Sequence, residues 1–360
     1  MLNNGLSLEK GFFHIITGPN GTGKSRMLRI LSESALKDEK YSRVICLSRG
    51  GYDDWFKISY QNEFNNKYFY LGVGTYLEFS RSTFFKKLFK RLFERLFNVF
   101  QQDCEDFLDS YRKKRSFRKK LSLIRKLLGV IGFECIVCFF RKENGEKRDW
   151  LFGSKFPRFF NDSFYIHKIT FIKNDRSCEF HELSSGERSI LLMILGVTLT
   201  IKDNSIIFYD EPENSMHPKW QEYIISFLQE IVMLSCNSTV VIATHSPLVV
   251  SNVTVSNKKI ITLGEEDSNW KNYSNNSNIE DTLYKVFNKI TPKSYLLSLE
   301  ISKIVKDMLD GEISKRDAIN KLNGFRSAGI DHVQENVIDN VISSLGVIKN
   351  KLNPKKANYE

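Results

Sequence analysis

Eight consecutive residues, Gly18, Pro19, Asn20, Gly21, Thr22, Gly23, Lys24 and Ser25, carry the spacing G-x-x-x-x-G-K-[ST] without a gap. Each residue type has a task in gripping a polyphosphate. Glycines let backbone N–H groups close around the anion, and the start of a following helix adds partial positive charge. Lys24 reaches the β- and γ-phosphates, and Ser25 offers an oxygen to Mg2+. This chemistry needs a strand before the loop and a helix after it. Residues 12–17 supply an aromatic and β-branched run and residues 24–36 a helical one, so the flanks agree with the loop. A glycine turn before an ordinary helix is the alternative, but it would not need the full spacing.

Three further groups could act on a bound phosphate. Ser184 and Glu187 form S-x-x-E at the start of an apolar helix, a capping box that would leave N–H groups aimed outward at an anion. A capped, buried helix with no ligand has the same pattern. Residues 205–209 are a short apolar run ending in Asp210 and Glu211. Two adjacent carboxylates at the end of a buried strand are costly unless a metal or a proton is shared there. Residues 239–243 form the next strand, which ends in Thr244, His245, Ser246 and Pro247. A histidine at a strand end is most often a satisfied surface residue. One strand–helix–strand unit after Asp210, however, places His245 beside the phosphate loop across a parallel sheet.

The remaining chain supplies the elements that must hold these groups. Residues 43–48 read as a second strand, and 49–80 as short strands and loops punctuated by Gly50, Gly51, Gly72 and Gly74. From residue 83 the pattern is helical: Phe84, Leu88, Leu92 and Leu96 step by four, with lysines and arginines on the other face. A second basic helix over 111–128 turns Leu121, Ile124, Leu127 and Leu128 inward. The pair reads as a hairpin or small lobe inserted in the core. Each reaches only about 30 Å, too short for a long coiled-coil arm. Residues 131–140 and 147–152 flank Glu143, Asn144, Gly145 and Glu146 as a β-hairpin, 164–172 alternates as a further strand, and the core resumes at Leu183. Pro218 opens a helix between the strands at 205–209 and 239–243. A Ser/Asn-rich loop at 275–278 then precedes helices at 280–289, 295–310, 315–323 and 331–345, with Gly311 and Gly346 as stops.

Composition narrows the class. The chain has 360 residues, 41% hydrophobic and 26% charged, as in a soluble globular protein. Its apolar stretches fall short of a bilayer span, and no signal peptide precedes the phosphate loop, so a cytoplasmic location is expected. The six cysteines show no paired framework. Cys135 and Cys138 form C-x-x-C within a strand, where positions three apart face opposite sides, which disfavours zinc. The net charge is +11, and its location is informative. Between Arg81 and Lys126 fifteen basic residues stand against five acidic. A solvated helix face, DNA, RNA or an acidic protein surface would each account for them.

Taken together, the motifs resemble those of ABC-type ATPases. Leu183, Ser184, Ser185, Gly186 and Glu187 resemble the signature LSGGQ, with Ser185 and Glu187 departing from it. Asp210 and Glu211 match the carboxylates that hold the Mg2+ shell and polarise the attacking water, and His245 matches the switch histidine that contacts the γ-phosphate. Glu213, Asn214, Ser215, Met216, His217 and Pro218 lack the usual D-loop aspartate and resemble instead E-x-x-x-H-P of the OLD and RecF-like branch. Gln61 is the one candidate for the Q-loop.

The resemblance implies an α/β fold: an ABC-type P-loop ATPase core in two parts, 1–80 and 131–253, with a basic helical insertion at 81–130 and a C-terminal helical tail at 254–360. It implies ATP and Mg2+ as cofactors and a homodimer or higher oligomer. The nucleotide would lie on Asn20 to Ser25 of one chain and under Ser184, Ser185 and Gly186 of the other. Three roles follow: an ATPase subunit of a bacterial antiphage system, similar to those of Septu and retron-associated systems, controlling a partner effector such as an HNH-type nuclease; a RecF- or SMC-like clamp holding DNA or RNA through 81–126; and a transporter subunit. The tail has no D-x-D cluster for a nuclease of its own, and the insertion and missing Q-loop argue against the transporter.

Overall fold

A computed structural model describes residues 7–48, 67–72, 111–151, 165–214, 216, 218–264, 269–272, 279–292 and 294–352. In chain order the elements are β1 (Phe13–Thr17), α1 (Lys24–Lys37), β2 (Arg43–Ser48), β3 (Tyr68–Gly72), α2 (Tyr111–Val130), β4 (Cys135–Arg141), β5 (Lys147–Leu151), β6 (Tyr165–Lys173) and β7 (Arg176–Cys178). Next comes α3 (Ser185–Leu192), which runs on through a π-helical turn (Met193–Val197) and a last turn (Thr198–Thr200). Then follow β8 (Ser205–Asp210), α4 (Pro218–Val232), β9 (Thr239–Ala243), α5 (Pro247–Asn252), β10 (Lys258–Thr262) and β11 (Lys271–Asn272). The tail holds α6 (Ile279–Phe287), α7 (Tyr295–Leu309), α8 (Lys315–Gly324) and α9 (His332–Leu352).

The fold is α/β. Its main sheet has the order β11-β10-β1-β9-β8-β2-β3, with all pairs parallel except β10 with β11. β1, β2, β8 and β9 are buried at every position, which is why they read as unbroken apolar runs rather than alternating ones. Chain crossovers carry β9 into the slot between β1 and β8, so three loops open at neighbouring strand ends. β4 to β7 form a second, antiparallel sheet, whose β4–β5 turn is closed by Lys142 N–H donating to Glu146 O at 2.9 Å. Cys138 is buried on β4 while Cys135 is half-buried on the opposite face.

α2 packs its apolar stripe, Leu121, Ile124, Leu127 and Leu128, against the π-helical turn after α3. Its cations are not all turned to solvent. Lys120 Nζ donates to Ile201 O at 2.8 Å, and Lys126 pairs with Glu230 at 2.6 Å. The first basic helix expected from the sequence lies outside the described residues, as does Gln61.

Two expectations need correction. The core does not end at residue 253: β10 pairs with β1 along five residues, and the first compact unit runs to Asn275, the second from Asn276 to the end. The run Lys258–Thr262 is too short and too lysine-rich to show itself as a sheet member without its partner. Gly346 does not stop a helix either, because α9 continues to Leu352. A mid-helix glycine costs only about 1 kcal/mol, which tertiary packing readily outweighs. Gly311, with φ 82°, does end α7 as expected. The second unit has its own core, with Leu297, Ile301, Leu322 and Ile338 at its centre. Among the described residues no helix is long and apolar enough to cross a membrane.

Candidate nucleotide site

The phosphate loop leaves the end of β1 and enters α1 through three glycines with positive φ: Gly18 at 142°, Gly21 at 80° and Gly23 at 92°. Gly18 is required twice over. A Cβ there would lie 2.5 Å from Leu263 O, and its backbone is one that side chains rarely adopt. Leu263 N–H in turn donates to Thr17 O at 2.7 Å, so the end of β10 pins the loop's base. Lys24 is 5% exposed, and its Nζ donates to Gly18 O and Pro19 O, each at 3.0 Å. A buried ammonium must be paired or hydrogen-bonded, and here the loop's own carbonyls satisfy it. Asn20, Gly21 and Ser25 are exposed. Gly23 is the N-cap of α1, and no side chain caps it. The loop therefore presents a helix start without a side-chain cap, with a cation folded beneath it, which fits a polyphosphate.

Strand register explains how the other groups reach this loop. Ile16 lies opposite Ala243, and Ala243 opposite Asp210. The next residues, Thr17, Thr244 and Glu211, therefore leave β1, β9 and β8 in one row. Asp210 is buried and Glu211 partly exposed. Glu211 has φ 44°, an unusual value for a non-glycine residue; its N–H donates to Ala243 O at 2.8 Å, and Asn214 Nδ2 donates to its Oε2. An exposed hydroxyl from Ser25 and a buried carboxylate from Asp210 are a hard oxygen donor set of the kind Mg2+ takes.

His245 sits between two carboxylates. Its Nδ1 is 3.2 Å from Glu213 Oε1 and 3.7 Å from Glu211 Oε1. Glu213 Oε1 also accepts from Thr244 Oγ1 at 2.6 Å and from His245 N–H at 2.8 Å, and the glutamate is 5% exposed. Sequence reasoning placed Glu213 only within a pattern and gave it no task. The signal that could have found it is its charge: an acidic residue three places beyond a buried strand needs a partner, and donors were due at the neighbouring strand end. Ser215 and His217 lie outside the described residues.

At the signature the expected capping box is present. Ser184 Oγ accepts from Glu187 N–H at 3.3 Å, while Ser184 N–H and Oγ both donate to Glu187 Oε2 at 2.8 Å. What the sequence did not show is that Glu187 Oε1 is held by Lys173, from the end of β6. Burial pushes the Glu187 carboxyl up, but Lys173 and the Ser184 donors outweigh it and leave the group below its ordinary value. Ser184 is exposed, Ser185 half-buried and Gly186 buried. The Ser184 hydroxyl and the Glu187 N–H are thus engaged within the helix start rather than aimed outward.

The structure brings Asp210, Glu211, Glu213 and His245 to the strand ends beside the phosphate loop, and sets Ser184 to Gly186 on a separate helix start. Comparison with known proteins adds the family. Residues 33–251 match the model described as "AAA domain, putative AbiEii toxin, Type IV TA system". No curated protein sequence matches the chain. Among solved structures it is similar to cbiO1 of Clostridium perfringens, part of the ABC transporter complex cbiONQ, at 13% identity and TM-score 0.34 over 84% of this chain and 86% of that one. It is also similar to a dimeric bacterial ABC transporter cassette, at 15% identity and TM-score 0.31 over 72% and 83%. A third is an SMC head bound to the C-terminal winged-helix domain of ScpA, at 14% identity and TM-score 0.29 over 48% and 47%.

Proposed function

The chain belongs to this AAA-domain family, and from that premise we propose that it is an ATP-binding and ATP-hydrolysing subunit that dimerises around ATP and controls a partner effector. The observation that carries this reading is the register that aligns Ile16, Ala243 and Asp210 on β1, β9 and β8, so that Thr17, Thr244 and Glu211 follow side by side. It supports a phosphate grip, a carboxylate pair and a histidine acting on one ligand. Asn20 to Ser25 and Lys24 hold the phosphates. Mg2+, when bound through Ser25 and Asp210, would offset the charge that develops on the phosphates. Glu211 orients and polarises the attacking water, and His245 meets the γ-phosphate. Ser184, Ser185 and Gly186 complete the site of a second copy, so that dimerisation depends on the nucleotide.

Glu211→Gln tests this. Turnover is expected to fall by at least about 100-fold, and an ATP-dependent dimer should accumulate in size-exclusion chromatography with light scattering. A monomeric enzyme whose rate rises linearly with its concentration would defeat the dimer.

We place the engine in the cytoplasm, in a bacterial antiphage system whose effector is a separate subunit, an HNH-type nuclease being favoured; the toxin named in the family description is in keeping with such a role. An HNH reading frame next to this one, and co-purification of its product, would support the assignment, and a permease in its place would overturn it. A RecF- or SMC-like clamp on nucleic acid is favoured by one observation, the exposed cations Arg118, Lys119 and Arg125 on α2. About six phosphate contacts would give a log–log salt slope near −5, and a flat dependence removes the clamp.

A further inference from the structure

We propose that Glu213 is the positioning residue of His245: its buried carboxylate clamps the 244–246 turn and holds the imidazole by Nδ1, which leaves Nε2 as the nitrogen that meets a nucleotide and keeps Glu211 for the water. This rests on the ATPase reading above and adds to it a residue with no assigned task.

The geometry argues the point in three steps. First, one oxygen of Glu213 gathers the hydroxyl of Thr244, the backbone N–H of His245 and Nδ1 of its ring. The backbone N–H is hydrogen-bonded to that buried oxygen and the ring nitrogen faces it at 3.2 Å, a pairing that would set where the side chain leaves the chain and how the ring is rotated. Secondly, the two nearby carboxylates compete for Nδ1, and Glu213 is closer, at 3.2 Å against 3.7 Å for Glu211. The shorter contact makes Glu213 the favoured acceptor for the Nδ1 proton, which leaves Glu211 for the water. Thirdly, the clamp extends onward. Thr244 Oγ1 donates to Glu213 and accepts from Ser246 N–H at 2.9 Å, and Ser246 Oγ donates to Gln221 Oε1 at 3.2 Å on α4. The turn is thereby braced between β9 and the helix that follows Glu213 in the chain. A charge-assisted bond inside a low-dielectric site is stronger than its surface counterpart, and the His245 side chain, 43% exposed, needs such a hold to keep one orientation.

A structural role alone would affect folding, not the imidazole, so the test reads the ring directly. Selective 15N labelling of histidine in the nucleotide-free wild-type protein at about pH 8 should show His245 with its proton on Nδ1. If it carries the proton on Nε2, the proposal is overturned without any variant. Glu213→Gln retains an oxygen acceptor for Thr244 and the backbone but lacks the charge. It is expected to stay folded, to shift His245 towards the Nε2–H tautomer, and to lower kcat by about 10-fold. Glu213→Ala should lower kcat by about 100-fold, the scale of a misplaced reacting group, with ATP affinity within about 3-fold of wild type in both variants. Wild-type tautomer and wild-type kcat in folded Glu213→Gln would overturn the proposal, and so would a loss confined to ATP affinity. A wild-type protein that hydrolyses no ATP would count against the ATPase reading instead, because the tautomer of the free protein is read regardless.

Discussion

Two helix starts in this chain resemble each other on paper and differ in what they leave open. α1 begins at Gly23 with no side-chain cap and no acidic residue in its first turn. α3 begins at Ser184 with a complete capping box and an acidic residue, Glu187, in its first turn. An isolated helix gains about 1 kcal/mol from a cap of the second kind, so the first arrangement forgoes local stability. What it keeps is a set of N–H donors and a positive end for an anion. At α1 a cation lies beneath the loop; at α3 the cation, Lys173, is already spent on Glu187. The lesson is that α1 is arranged to take a ligand, whereas α3 is first of all a stable, closed turn. Any role of Ser184 towards the nucleotide of a second copy then requires its hydroxyl to leave Glu187.

The largest expected effect separates the two starts by binding. Lys24→Ala should weaken ATP by at least about 100-fold, about 2.7 kcal/mol, measured by fluorescence titration with a labelled nucleotide. Lys173→Ala, at the other start, should change the affinity of one isolated chain by less than about 3-fold. Equal losses would erase the distinction. Next comes the loop's steric demand. Gly18→Ala brings a Cβ against Leu263 O and should lower Tm by about 5 to 10 °C. Gly23→Ala meets no atom within 4 Å and should cost only the strain of its positive φ, about 1 kcal/mol. Identical melting curves for the two alanines would show that the end of β10 does not pin the loop.

These contrasts also mark how far the sequence could be read. The phosphate loop, the carboxylate pair and His245 were legible because each combines an apolar run with punctuation at a fixed offset, and parallel sheets turn such runs into neighbours. The row Thr17, Thr244 and Glu211 follows from topology that strand–helix–strand spacing already constrains. Glu213, Lys173 and β10 were not legible. Their partners lie on other elements, Lys173 being 14 residues before Glu187, Glu213 some thirty before Thr244 and β10 more than two hundred after β1, and no local pattern encodes such pairings. The capping box was legible as a cap, and it occupies the N–H groups of Ser184 and Glu187.

A smaller effect tests the cap itself. Ser184→Ala removes the acceptor for Glu187 N–H and should cost about 1 kcal/mol of stability, read from urea unfolding. An unchanged midpoint would mean that packing under α3, not the cap, sets its start.

The smallest effect concerns acid, and the two starts should differ again. Glu187 is held below its ordinary value despite burial, so the folded state prefers the charged form. Its contribution is complete above the unfolded carboxyl value of about 4.5 and is lost as pH falls through the lower folded value. α1 has no counterpart in its first turn. One other group must be separated first. Burial lowers the His14 imidazole to about 4, where its ring packs edge-on against Trp270 at 4.9 Å. A depressed histidine acts earlier: its penalty is absent above the unfolded value of about 6.5 and grows as pH falls towards 4. In a His14→Gln background the loss between about pH 6.5 and 4.5 should therefore shrink, leaving the lower window to carboxylates. There Glu187→Gln should flatten the fall of unfolding free energy with acid by a few tenths of a kcal/mol, the scale of a partly exposed pair. If the slope below pH 4.5 is the same with glutamine, Lys173 contributes nothing to closing α3, and the contrast with α1 rests on the Ser184 cap alone.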